Sequence, residues 1–287
     1  MGPVGRFGAI AAAGGFGWGL TMGIVPALAE TAGGLSVPWQ LGFQDSATPN
    51  MGDIVWFHDD LLMPVVTAIT IFVLALLIWV IVRYNERANP VPSKTTHNTK
   101  IELVWTIVPI IILGVIVVPS FKILTEQRTI PEADMTIKVI GSQWYWSYEY
   151  PDLDGISFDS IMLEDDELKP GQHRLLEVDN PVVVPVNTTV RLILTATDVI
   201  HSWAIPAFGV KIDTVPGRLN EAWFRAEKTG TYYGQCSELC GVRHAFMPIA
   251  VNVVTPEEWK AWQVKARQEF AASPVNAAPR RLALAAE

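Results

Sequence analysis

The chain has 287 residues with a formal net charge of −8; half of them are hydrophobic and only 17% are Asp, Glu, Lys or Arg. This balance lacks the basic field that a phosphate backbone needs, so nucleic acid is excluded as an expected partner. Because the apolar residues are concentrated in blocks rather than spread along the chain, the composition is that of a protein part membrane, part soluble.

Arg6 precedes a Gly/Ala-rich apolar stretch that reaches Ala27-Leu28-Ala29, a small-x-small pattern ahead of Glu30. Residues 1–29 therefore read as a removable export signal. The alternative is a retained segment, which its glycine content makes a poor helix. Residues 30–60 form a segment on the outer side, and two apolar spans follow. Leu61 to Val82 is 22 residues without a charge, about 33 Å as a helix against a hydrocarbon core of about 30 Å. Leu103 to Phe121 is a second uncharged block, containing Pro109, Gly114 and Pro119, which membrane helices tolerate.

Arg83, Arg87, Lys94 and Lys100 lie between the spans against Glu86, whereas residues 30–60 hold five acidic side chains and no lysine or arginine. By the positive-inside rule the loop 83–102 is cytoplasmic, and everything after Phe121 faces the periplasm or its equivalent. The expectation is a multi-pass protein of a bacterial inner membrane, in contact with the lipid bilayer, with its large domain outside.

Residues 122–255 read as β structure. From Trp144 the side chains alternate, with Trp144, Trp146, Tyr148 and Tyr150 on one face and Tyr145, Ser147 and Glu149 on the other. Val190 to Ala196 and Pro248 to Val254 are further strands, and Pro170-Gly171, Asp179-Asn180-Pro181 and Pro216-Gly217 mark turns. Short strands at this spacing predict a sandwich or small barrel. Thr255, Pro256 and Glu258 form a capping-box start, so a closing helix is predicted to about Phe270, ahead of an Ala-rich tail expected to be disordered.

The chemistry is concentrated in one loop. Cys236, Cys240, His244 and Met247 are both cysteines, a histidine and a methionine within twelve residues. Thiolate and thioether beside imidazole select copper over hard cations. A disulfide would account for the cysteines in an oxidising compartment, but it would not call for His244 and Met247. A further ligand must come from a distant strand, and His201, in Asp198-Val199-Ile200-His201-Ser202-Trp203, is the candidate. A mononuclear blue-copper site would leave one thiol idle. Two thiolates, two imidazoles and a thioether suit two copper ions bridged by both sulfurs.

Those residues, together with Gly141-Ser142-Gln143-Trp144-Tyr145-Trp146, Leu175 to Asn180 and Pro216-Gly217-Arg218-Leu219-Asn220, resemble subunit II of the aa3-type haem-copper cytochrome c oxidases, from about Trp56 to Trp259. The resemblance implies a cupredoxin-like β-sandwich on a two-helix transmembrane hairpin. It implies a dinuclear copper centre held by His201, Cys236, Cys240, His244 and Met247 and by the main-chain carbonyl of Glu238. It also implies that the Glu238 carboxylate helps to bind a magnesium ion shared with subunit I, that Trp144 is where the electron enters, and that Glu102 stands at the mouth of a proton-uptake path. The activity implied is that of the complex, an oxidase in which electrons from cytochrome c pass through this subunit to haem in subunit I, with oxygen reduction coupled to proton pumping. With five histidines and two spans, the chain cannot itself house the haems and the oxygen-reducing centre.

Charge supports the partner independently. Residues 149–179 contain ten acidic side chains against Lys169 and Arg174, a field that would steer a basic cytochrome c and weaken with salt. The expected docking residues are Gln143, Tyr145, Glu149, Asp159 and Asp198. A membrane-anchored copper chaperone or thiol-disulfide protein is the alternative, disfavoured by the β-rich pattern and by the nearness of His244 to the cysteines.

Overall fold

The computed structural model describes residues 34–270. The expected export signal and the expected disordered tail lie outside them.

Helix α1 runs Pro49–Arg83 and α2 runs Thr99–Arg128, both long and apolar enough to cross a membrane, with no residue of Met63–Arg83 or of α2 buried by the chain. The two apolar spans thus lie inside longer helices. Residues 49–60, read above as part of an outer segment, are already helical, because Thr48 caps the helix and Pro49 suits its first turn. A π-helical turn, Phe57–Leu62, interrupts α1 where the apolar stretch begins. Asn98 caps α2, accepting from the amides of Lys100 and Ile101.

Both helices are tied to the β structure at their outer ends. Thr48 accepts the Met51 amide at 3.1 Å and donates its own hydroxyl to the Phe208 carbonyl at 2.7 Å. Near the end of α2, the Glu126 carbonyl accepts the Trp223 indole N–H at 3.2 Å. The sandwich is therefore seated on the hairpin by hydrogen bonds that an apolar helix surface could not supply.

Ten strands build the sandwich: β1 Met135–Ser142, β2 Tyr145–Tyr150, β3 Ile156–Ser160, β4 Val182–Pro185, β5 Thr189–Ala196, β6 His201–Ile205, β7 Val210–Thr214, β8 Asn220–Arg225, β9 Gly230–Gln235 and β10 Pro248–Val254. One sheet has the order β3-β2-β1-β5-β8, a second β4-β10-β9, and β6 pairs with β7. β1 runs parallel to β5 with Met135 opposite Val190, and antiparallel to β2 with Ser142 opposite Tyr145.

The predicted alternation holds from Tyr145 onward. Trp146, Tyr148 and Tyr150 are fully buried, and Tyr145, Ser147 and Glu149 face outward. Trp144 departs from it: it lies with Gln143 in the turn between β1 and β2, because the strand begins only at Tyr145. The buried hydroxyls keep partners, Tyr148 accepting from the Trp203 indole at 3.2 Å and Tyr150 donating to the Val183 carbonyl at 3.1 Å. Each such aromatic contributes on the order of 3–5 kcal/mol against truncation to alanine.

The closing helix α3, Pro256–Phe270, starts as its capping box requires, with the Glu258 carboxylate accepting the Thr255 amide at 2.9 Å and the Glu258 amide donating to the Thr255 hydroxyl. It lays Trp259, Trp262 and Phe270 against Tyr150 and Phe158.

Candidate metal centre

At one end of the sandwich, β6 and the loop joining β9 to β10 bring the soft donors together. His201, Cys236 and Cys240 offer ligand atoms within 4.8 Å of one another, and all three are buried. Cys236 Sγ lies 3.9 Å from His201 Nδ1 and 3.9 Å from Cys240 Sγ. Cys240 Sγ lies 3.5 Å from His244 Nδ1 and 3.5 Å from Met247 Sδ. The Glu238 carbonyl oxygen is 3.3 Å from Cys236 Sγ. All six expected donors therefore meet at one place, although 46 residues separate the outermost two in sequence, counting from His201 to Met247.

This donor set fits a metal better than a disulfide. A sulfur–sulfur bond is about 2.05 Å long, so both cysteines are free thiols at the observed spacing. Sulfurs that share a metal through bonds of about 2.3 Å stand up to about 4.6 Å apart, and the 3.9 Å separation lies within that reach. The two thiols differ. Burial pushes Cys236 up, but its hydrogen bonds, led by the one from His201, bring it down to about 7. Burial and then the adjacent Cys236 sulfur push Cys240 up to about 12. The two shifts run in opposite directions because the His201 hydrogen bond favours the Cys236 thiolate, whose sulfur in turn disfavours a second charge on Cys240.

Behind the donors lies a supporting network. Asp198 Oδ1 is 2.9 Å from His201 Nε2, the ring nitrogen facing away from the thiols. The other carboxylate oxygen of Asp198 accepts the Gln143 amide at 2.7 Å. This places Asp198 as the carboxylate that fixes the imidazole tautomer and leaves Nδ1 for a metal. Burial works against ionisation of Asp198, but the hydrogen bonds from His201 and from the Gln143 and Val199 amides hold its carboxyl below the usual range. His201 is raised; burial lowers it, and its contacts with Cys236 and Asp198 more than offset that.

The core supports the same residues from below. The Trp146 ring packs edge-on against His201 with centroids 6.0 Å apart and donates its indole N–H to the Met247 carbonyl at 3.2 Å. On the outer side the Cys240 carbonyl receives two donors, Gln143 Nε2 at 2.8 Å and Trp144 Nε1 at 3.3 Å. Gly241, with φ +121°, lets the loop lie flat on these two side chains, since a Cβ there would stand 3.0 Å from Trp144 Cζ2. Sequence reasoning missed the roles of Trp146, Gly241 and the Gln143 side chain. The spacing of Asp198 and His201, three residues apart, was the one signal that could have disclosed the ring contact.

The remaining expected residues are elsewhere. Glu149 is ion-paired with Lys138 at 3.0 Å, which neutralises it locally. Asp159 accepts the Ser147 hydroxyl at 2.6 Å on the exposed edge of β3. Tyr145 opens β2 half-exposed, next to Trp144. Glu238 is exposed between the cysteines. Glu102 sits in the first turn of α2, far along the chain from the donors, where its carboxylate accepts the Asn98 amide at 3.2 Å.

Comparison with known proteins identifies the family. Residues 135–254 match the family model for the periplasmic domain of cytochrome c oxidase subunit II, and residues 36–123 match its transmembrane domain. A probable cytochrome c oxidase subunit 2 of Rickettsia bellii is 56% identical over 240 residues, covering 84% of this chain and 88% of the relative. The cytochrome c oxidase subunit 2 of Cereibacter sphaeroides is 48% identical over 248 residues, covering 80% and 81%. Among solved structures, the periplasmic domain of subunit II of the Bradyrhizobium japonicum cytochrome oxidase is 58% identical, covers 50% of this chain and 99% of that one, and superposes with a TM-score of 0.47. With an apolar helix pair, a β domain carrying clustered soft donors and these matches along most of its length, the chain is a membrane-anchored member of the cytochrome c oxidase subunit II family.

Proposed function

We propose that the chain is the electron-transfer subunit of its oxidase, taking electrons from a basic c-type cytochrome and delivering them to haem in subunit I, where oxygen reduction is coupled to proton pumping. The observation that carries this reading is the meeting of two thiols, two imidazoles, a thioether and a backbone carbonyl within hydrogen-bonding distances of one another. His201, Cys236, Glu238 through its carbonyl, Cys240, His244 and Met247 would hold two copper ions. Bound there, the pair supplies one-electron chemistry with the charge shared between two ions.

The chain's own residues do the rest. Asp198 orients His201, Trp146 holds the carbonyl of Met247 from the core, and burial of both cysteines keeps water from the sulfurs. Trp144 offers the route inward, since its partly exposed ring is hydrogen-bonded to the Cys240 carbonyl. Around the loop, Leu239 is 79% exposed and Val242 is 87% exposed, apolar surface that suits covering by partner proteins. Arg243 pairs with Glu164 at 2.8 Å and so fastens the loop to the acidic segment expected to steer the cytochrome. Gln143, Tyr145, Glu149, Asp159 and Asp198 remain the proposed docking residues, with Glu149 the weakest because Lys138 already pairs it.

The exposed Glu238 carboxylate is the proposed contribution to a magnesium site at the boundary with subunit I, an oxygen donor of the kind that ion takes. Glu102, at the basic end of the hairpin, is the proposed mouth of a proton path. That end would face the cytoplasm, with the β domain in the periplasm of a bacterial inner membrane.

The test is copper content and electron paramagnetic resonance of the purified full-length chain in detergent. Two coppers per chain with a mixed-valence signal are expected, and zero or one would overturn the reading. Asp198→Ala removes the oxygen that fixes His201, so copper retention against a chelator is expected to fall about 10- to 100-fold. Trp144→Phe keeps a ring but loses the N–H to Cys240. Electron uptake from reduced cytochrome c in stopped flow is expected to slow by at least about tenfold, with copper content unchanged; an unaltered rate would remove Trp144 from the route.

A further inference from the structure

Beyond docking, the turn between β1 and β2 touches both halves of the donor set. From the sequence, Gln143 is expected only as a docking residue for a partner. Its side chain, however, turns inward and donates from Nε2 to the Cys240 carbonyl at 2.8 Å, the shorter of the two hydrogen bonds on that oxygen. Its backbone N–H donates to Asp198 Oδ2 at 2.7 Å, and Asp198 holds His201 through the other oxygen. One residue thus joins the strand ligand to the loop ligands. The loop's other ties on this side are the Trp144 indole N–H and, farther along, the Arg243–Glu164 ion pair. Val242 and Ala245 are exposed, and Gly241 has the backbone freedom of its positive φ.

We infer that Gln143 is a positioning residue for the metal centre, holding the Cys240–Gly241 segment in register with His201. Ser202, on the other side of the loop, accepts the Ser237 amide at 3.0 Å, which anchors the first cysteine's end. Gln143 does the same for the second. Removing its donor leaves the thiols in place but frees the peptide that follows Cys240, so the spacing of Cys240 to His244 and Met247 becomes variable. The inference rests on the copper reading only for its second measurement, because the first uses the chain without metal.

Gln143→Met keeps the length and bulk of the side chain without a donor, and Gln143→Glu keeps the shape with an acceptor instead. In the metal-free full-length chain, hydrogen exchange of residues 236–247 is expected to quicken on the order of fivefold in both variants, the effect of one lost hydrogen bond of about 1 kcal/mol. Exchange in β4 and β10 is expected to stay unchanged, which separates loosening of the loop from loss of the fold. In the copper-loaded chain the metal stoichiometry is expected to match wild type while the hyperfine pattern changes. Loop exchange and hyperfine pattern both equal to wild type in both variants would overturn the inference. A wild-type chain that binds no copper would instead overturn the function proposed above, leaving the exchange result to stand by itself.

Discussion

Cys240→Ser in the full-length chain is expected to abolish the metal centre outright, taking copper from two per chain to less than one and slowing oxidase turnover with cytochrome c by more than about 100-fold. The reason is position as well as chemistry. Cys240 Sγ joins the other cysteine to the downstream ligands, at 3.9 Å from Cys236 Sγ and 3.5 Å from both His244 Nδ1 and Met247 Sδ. A serine oxygen is a hard donor that holds its proton far above neutral pH, so the substitution removes the softness that selects copper and the shared sulfur together. Losing a residue that merely supports a ligand already costs about 10- to 100-fold in affinity. The fold should survive, because Cys240 lies in a loop and its carbonyl, not its sulfur, carries the bonds to Gln143 and Trp144. A variant that unfolds at wild-type temperature but holds no copper is the expected outcome. One that still binds two coppers would show that the sulfur is not shared.

The candidate donors were legible because four of them are close in sequence and chemically unusual together. His201 was legible only by elimination, since nothing in its own surroundings marks a histidine as a ligand rather than a buried ring. The contacts that orient the donors were not legible. Gln143 meets Asp198 across 55 residues and Cys240 across 97, and such pairings follow from how β1, β5 and the loop after β9 stack rather than from any local pattern. Asp198 was read for its charge, which is visible in a sequence, and not for its direction, which is not. Trp144 shows a related limit. A period of two cannot tell the last residue of a turn from the first of a strand when both are aromatic. At the membrane end, hydropathy marked the apolar centres of both helices, but the start of α1 at Pro49 depends on Thr48 reaching the Phe208 carbonyl, a contact 160 residues away.

Gly234→Ala is expected to cost more stability than any other single methyl added to the β domain, at least about 3 kcal/mol. Glycine is required here for space and not for backbone conformation, because its φ is an ordinary one. A Cβ at Gly234 would stand 1.8 Å from the carbonyl oxygen of Ala204 and 2.9 Å from its carbon, both backbone atoms that cannot rotate away. That close approach of β9 to β6 continues toward the donors. Two residues on, Cys236 Sγ faces His201 Nδ1, and the Ser237 amide reaches the Ser202 carbonyl at 3.0 Å. Forcing β9 away from β6 at Gly234 therefore also separates the two parts of the centre. Thermal unfolding of the full-length chain should drop by on the order of 10 °C, with copper retention lost in parallel. Gly155→Ala provides the comparison: φ there is +70°, but nothing lies within 4 Å of the new methyl, so only the left-handed backbone cost of about 1–2 kcal/mol applies. Equal destabilisation of the two variants would show that the approach of β9 to β6 is not what brings Cys236 to His201.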